Sequence, residues 1–294
     1  MKYTTIAIIY NPNSTGSSKQ LAADFKANLE KHTPHQKAEL IATEYAGHAE
    51  KLAYDLAKAT KNPLIISSSG DGGYNEVING AMKAKAEGAN PTTGLLPAGN
   101  ANDHYNNLHK EDMIEMILEG KSKVIDLLTL EGNSKGKKVL RYAHSYIGFG
   151  LTPFVGAELN KTKLTIFNEV WIVAKALFAV KAVRLKIGKK SKLYDSIIFS
   201  NVDRMSKYLN ISQPSRVNDG KFEVTIFRKR NKIKLIILLL KASVFGIKED
   251  KQVSEFHFET TYSTLAQLDG EILAIDGRSK ITIGIDKKSL QCIV

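Results

Sequence analysis

Hydrophobic and polar positions alternate in blocks along the first third of the chain. Short apolar runs at residues 6–10, 40–43, 63–66 and 94–96 each stop at a polar loop, and their length suits buried strands. Helical spacing follows the first three runs, through Leu21, Phe25 and Leu29, then Leu52, Ala53 and Leu56, then Val77, Ile78, Ala81 and Met82. Repeated strand-loop-helix units predict a parallel sheet with helices on both faces, and ligands at the carboxyl ends of its strands. All the polar loops fall at such ends.

From about residue 124 the period shortens. Runs at 139–144, 183–187, 196–200, 222–227, 255–260 and 281–285 are bounded mostly by Gly, Asn, Asp or Lys and read as strands. The pattern predicts an α/β domain over residues 1–127, followed by a β-sandwich over 128–288. Stretches 164–183 and 233–245 read as helices. Glu169, Lys175 and Lys181 interrupt the first, and Lys234 and Lys241 the second, so core packing is expected of both rather than membrane crossing.

Composition alters this picture in three respects. A length of 294 residues suits two domains. The single cysteine, Cys292, rules out an internal disulfide and a cysteine-based zinc cluster, which fits a cytoplasmic protein. The start runs directly into the first strand and is too short for a signal peptide. The formal charge of +12 is concentrated in the second half, at Lys181, Arg184, Lys186, Lys189, Lys190 and Lys192, then Arg228, Lys229, Arg230, Lys232 and Lys234. Such a surplus attracts polyanions. No nucleic-acid-binding signature accompanies it, so an anionic membrane surface, approached peripherally, is the expected partner and nucleic acid is not. A homodimer is compatible with the sequence.

The candidate chemistry centres on Ser69-Gly70-Asp71-Gly72-Gly73-Tyr74-Asn75-Glu76. A strand that opens through glycines into a helix leaves backbone N–H groups facing anything anionic. A tight glycine-rich turn has the same composition. Asp71 adds a carboxylate beside the cradle, which is unfavourable unless a cation intervenes, and so suggests a Mg²⁺-nucleotide. Near the other end, Asp269-Gly270-Glu271 sets two acids across a sharp turn. One acid can take a proton from a hydroxyl while the other orients it or holds a metal. An ordinary hairpin reads the same way.

The order of motifs along nearly the whole chain resembles the diacylglycerol kinase catalytic family, which includes bacterial soluble lipid kinases and sphingosine kinases. The matching pieces are Asn11-Pro12 with Ser14 and Gly16, Thr43 with Gly47-His48-Ala49, Gly70-Asp71-Gly72 with Asn75-Glu76, and Pro97 with Gly99, Asn102 and Asp103. Later come Ser145-Ile147-Gly148-Phe149 in order, Ser200-Asn201, Asp219-Gly220 and Asp269-Gly270-Glu271. The resemblance implies a nucleotide-binding α/β domain and a β-sandwich, with the active site in the cleft between and residues 289–294 returning to the first domain. It implies ATP phosphates held by Asn11–Gly16 and Ser69–Asn75, with Thr43 and Asn100 alongside, and Asp71 and Asp103 near the Mg²⁺. Glu271 corresponds to the base that deprotonates a lipid hydroxyl, supported by Asp269. Asp219, with backbone oxygens of Arg216 and Lys221, corresponds to a structural Mg²⁺ site. The sequence departs from the family at Ser69, usually glycine, and at Gly73 and Asn100, usually threonines that face phosphate. The glycine-rich run usual after Ser200-Asn201 is also absent. The expected function is an ATP-dependent lipid kinase. A NAD kinase and a non-catalytic nucleotide- or lipid-binding regulator are the alternatives.

Overall fold

The computed structural model describes residues 3–14, 17–109, 111–154, 182–202, 217–232, 234–235 and 251–294, and the backbone alone at 204–205 and 209–210. The chain forms two units, Met1–Ile125 with Lys288–Val294, and Asp126–Lys287. The division falls two residues before the expected boundary. Asp126 belongs with the second unit because its backbone N–H donates to Val217 and its carbonyl accepts from the Asn201 side chain.

The first unit runs β1 (Thr5–Tyr10), α1 (Ser18–His32), β2 (Ala38–Ala42), α2 (His48–Ala59), β3 (Pro63–Ser69), α3 (Asp71–Ala86), β4 (Thr92–Pro97), α4 (Asp103–Leu108) and α5 (Met113–Leu118). The strands lie in the order β4-β3-β1-β2, and every pair is parallel. Residues 291–293 extend this sheet beside β4, again parallel. Leu64, Ile65 and Ile66 are consecutive and all fully buried, as expected of a central parallel strand covered on both faces. Ala22 and Leu29 of α1 and Met113, Ile114, Met116 and Ile117 of α5 join the core formed with Ile6, Ile8 and Ile66. The two six-residue helices, α4 and α5, have no counterpart in the periodicity reading, because so short a segment carries under two turns of pattern.

The second unit is antiparallel throughout its described pairings. Its strands are β5 (Lys123–Ser134, which begins in the first unit), β6 (Lys137–Ala143), β7 (Tyr146–Gly150), β8 (Val183–Ile187), β9 (Lys190–Ser200), β10 (Arg204–Met205), β11 (Leu209–Asn210), β12 (Phe222–Arg228), β13 (Lys251–Val253), β14 (Glu255–Thr260), β15 (Thr264–Leu268), β16 (Glu271–Ile275) and β17 (Lys280–Ile293, whose last residues pair in the first unit). Strand β9 begins six residues before the expected start at 196, because its lysines and Leu193 face solvent and read as a loop. The stretch 164–181 lies outside the described residues, as does most of 233–245; Val183 opens β8.

Inward-facing residues of these strands share one core. At its centre the Phe199 ring meets Phe149 and Phe222 edge-on and lies parallel to Phe258 at 6.1 Å. Phe199 has no exposed surface, so truncation leaves a cavity that four aromatic neighbours, including Phe256, cannot refill. Phe199→Ala is therefore expected to destabilise the protein by about 3–5 kcal/mol. Urea denaturation of both proteins measures this, and a loss under 1 kcal/mol would contradict the packing described.

Candidate active site

In the first unit the parallel register brings four loops to one end of the sheet. They follow β1 (11–14 and 17), β2 (43–47), β3 (70) and β4 (98–102). The first loop is an Asx turn, in which the Asn11 side chain accepts the Asn13 N–H at 2.9 Å. Its base is tied to β3 through Ser18, whose hydroxyl accepts from the Asn11 N–H at 3.1 Å and donates to the Ser68 carbonyl. Asn11 and Pro12 are exposed and Ser14 is half-buried, while Gly16 lies outside the described residues. Thr43 is half-buried, with its N–H bound to the Tyr10 carbonyl.

The third and fourth loops touch through glycine. A Cβ on Gly99 would come 2.4 Å from Gly70 Cα, and one on Gly70 would come 3.0 Å from Gly99 Cα. Only bare backbone fits at that contact. Asn102 shapes the fourth loop from within, accepting the Gly99 N–H and donating to the Gly99 carbonyl, both at 2.9 Å. Its own backbone is left-handed, a conformation asparagine tolerates. Asn100 stands exposed beside it.

The motif carboxylates of this unit grip backbone. Asp71, almost wholly buried, accepts the Asp103 N–H at 2.9 Å and the His104 N–H at 3.1 Å, so it caps α4 from the first residue of α3. Glu76 does the same for α2, accepting from Gly47 at 2.8 Å and Ala49 at 3.1 Å. Asn75 is buried and accepts from the Asn79 side chain. The start of α3 has no side-chain cap, and Gly72 and Gly73 are only half-buried there. A glycine-rich helix start at the end of a parallel strand suits a phosphate chain.

In the second unit Asp269 sits at the β15–β16 turn, buried, with left-handed backbone. Its carboxylate accepts the N–H groups of His144, Ser145 and Tyr146 at 2.9, 2.9 and 3.0 Å. It also meets His144 Nε2 at 3.2 Å, while His144 Nδ1 lies 2.7 Å from Ser145 Oγ. These contacts repeat the order of a hydrolytic triad, but all three residues are buried, so no acyl group reaches the serine. The arrangement fastens the β6–β7 turn. Glu271 opens β16 half-buried, opposite Leu268.

Asp126 is the residue that sequence reading passed over as chemistry. It is fully buried, and its Oδ2 accepts the Gly220 N–H at 2.7 Å, next to Asp219. A lone acid inside the apolar run Val124-Ile125-Asp126-Leu127-Leu128 was the available signal. Asp219 and Lys221 are exposed, and Asp219 accepts the Lys221 N–H at 3.0 Å. Arg216 lies outside the described residues. Among the described residues no three His, Cys, Asp or Glu side chains cluster in a way that holds a metal ion. Cys292 is no nucleophile, because burial pushes its thiol up to about 12.

Residues 5–130 match the family model of the diacylglycerol kinase catalytic domain. Relatives named diacylglycerol kinase match over most of the chain. One from Bacillus subtilis (strain 168) is 26% identical over 242 residues, covering 76% of this chain and 74% of its own. One from Staphylococcus aureus (strain MRSA252) is 28% identical over 248 residues, covering 80% and 74%. Residues 5–130 are thus similar to that catalytic domain, and the chain over most of its length to these kinases. The fold is that of a putative diacylglycerol kinase from Bacillus anthracis str. Sterne, with a TM-score of 0.71 at 16% identity over 100% of this chain and 98% of that one. A yeast NADH kinase complexed with NADH is also similar, with a TM-score of 0.54 at 11% identity over 99% and 83%.

A titrating group sits at the end of α4. His109 stacks on Tyr105 at 4.3 Å, its Nε2 is buried without a hydrogen-bond partner, and burial together with Lys123 lowers its pKa to about 4. The unfolded chain takes this proton near pH 6.5 and the folded chain only near 4. Its contribution is therefore complete above about pH 6.5 and is lost as pH falls toward 4, by about 3 kcal/mol at most. Urea midpoints between pH 7 and 4 should fall less steeply in His109→Gln than in the wild type. Parallel curves for the two proteins would refute this.

Proposed function

We propose that the protein is an ATP-dependent lipid kinase that phosphorylates the hydroxyl of diacylglycerol or a related lipid alcohol. The observation that carries this reading is the glycine-rich start of α3, with Gly70 at its N-cap, at the carboxyl end of β3 in a stretch that matches this family's model. In the proposed reaction the lipid hydroxyl oxygen bonds to the γ-phosphorus, the bond from that phosphorus to the β-γ bridging oxygen breaks, and ADP leaves. Glu271 receives the hydroxyl proton. The residues nearest to suiting Mg²⁺ are Asp71 and Asp103, both buried acids at one end of the first sheet, and Mg²⁺ would neutralise phosphate charge there. We assign Asp269 a positioning role, since its described contacts go to the β6–β7 turn.

Purified protein given labelled ATP, Mg²⁺ and diacylglycerol in mixed micelles should place label in the lipid. Glu271→Gln should lower transfer at least 100-fold, the low end of general-base contributions of about 10²–10⁴, and leave ATP affinity unchanged. Label entering NAD instead would favour a NAD kinase. ATP bound with no label transferred would favour the regulator.

We also propose peripheral attachment to anionic membranes. No described helix is long and apolar enough to cross a bilayer. Exposed Lys189, Lys190 and Lys192 on the β8–β9 hairpin adjoin exposed Arg228 and Arg230 at the end of β12, where Tyr194 pairs with Arg228. Each basic side chain near such a surface contributes on the order of 1 kcal/mol. K189E/K190E/K192E should lose co-sedimentation with phosphatidylglycerol vesicles and keep its turnover in neutral micelles. Unchanged co-sedimentation would refute this patch.

A further inference from the structure

The glycine at position 73 has a cause in the residue four places earlier. A Cβ built on Gly73 would lie 2.7 Å from both Cβ and Oγ of Ser69, closer than real Cβ atoms approach. Gly73 is absent from the positive-φ glycines, so its backbone conformation does not demand glycine. Space does. The Ser69 side chain fills the volume that a side chain at 73 would occupy over the first turn of α3.

The Ser69 hydroxyl is held ready in that position. It donates to the Gly70 carbonyl at 2.9 Å and lies 2.7 Å from Ser67 Oγ. A hydroxyl has one proton to donate, so with that proton on Gly70 the Ser67 hydroxyl must be the donor of the second bond. Ser67 is buried, whereas Ser69 is half-buried at the cradle. The Gly70 carbonyl also accepts the Tyr74 N–H at 3.1 Å. Ser69 can therefore turn its proton outward without orphaning that carbonyl, and it keeps the Ser67 bond while doing so.

We infer that Ser69 supplies the side-chain hydroxyl by which this cradle holds a phosphate oxygen, and that residues 69 and 73 form a sterically exclusive pair in which only one carries a side chain. This rests on the nucleotide-cradle reading above. It also gives that reading a specific donor, displaced by one helical turn from where a side chain at 73 would present it.

The test is a double-mutant cycle read by thermal unfolding and by calorimetric binding of ATP and of inorganic tripolyphosphate. The second probe needs neither nucleoside nor phosphoryl transfer. Ser69→Ala keeps the Cβ and removes the hydroxyl. It should weaken both ligands about tenfold or more, the range for a hydrogen bond to a charged group. Gly73→Thr should lower the melting temperature through the clash, and Ser69→Gly in the same chain should restore it, along with ligand affinity above that of either single variant. Additive effects on melting temperature would overturn the steric pairing. Equal tripolyphosphate affinity of wild type and Ser69→Ala would overturn the donor role, whatever the kinase assay shows. A protein that binds tripolyphosphate in a Ser69-dependent way yet phosphorylates no lipid would refute the kinase and keep this inference.

Discussion

Buried and half-buried carboxylates that accept backbone N–H groups are the constraint on which both units depend. Asp71 holds the start of α4, Glu76 the start of α2, Asp269 the β6–β7 turn, and Asp126 the Gly220 turn. Turn backbone has no ladder partner of its own, and a buried N–H without an acceptor costs about 1–3 kcal/mol. A charged acceptor makes the stronger kind of hydrogen bond. Residues that look in sequence like a collection of ligands thus spend at least part of their capacity fixing loops.

That arrangement has a chemical consequence in the first unit. With Asp71 engaged by the N–H groups that begin α4, part of its charge is compensated locally. Gly70 at the N-cap of α3 has no side chain with which to cap that helix, and the Ser69 side chain packs over Gly73 in its first turn. The close approach of Gly70 and Gly99 sets the third loop against the fourth, so Asp71 and Asp103 are presented by backbone that cannot spread apart without losing that contact. In the second unit the same principle gathers Asp126, Asn201 and Gly220, and also Asp269 with His144 to Tyr146.

Much of the fold was legible because periodicity carries over long segments. The β-loop-α repeats, the shift to short alternating strands and the bounds Val183–Ile187 and Glu255–Thr260 follow from which faces are apolar. Less legible were α4 and α5, too short to show a period, and the first residues of β9, whose lysines project from an edge hairpin. The cradle was visible as strand, glycines and helix. The partners of its acids were not, since Asp71 finds backbone 32 and 33 residues away and Asp269 finds it 123 to 125 residues away. Asp126 stayed hidden because its role is defined by Val217, Gly220 and Asn201.

By itself the sequence determined the two-part architecture, the loops at the strand ends and the resemblance to a known family, because hydrophobic period and local turn chemistry act over a few residues at a time. Tertiary structure alone decided what each motif residue touches. Ser69, Gly73, Gly70 and Gly99 illustrate the difference. As letters they are a substituted motif with two hydroxyl-bearing positions changed. In three dimensions Gly70 and Gly99 share one backbone contact, and Ser69 occupies the space that leaves residue 73 without a side chain. Excluded volume between residues on separate turns and loops is a property of the packed chain, and no reading of residue order contains it.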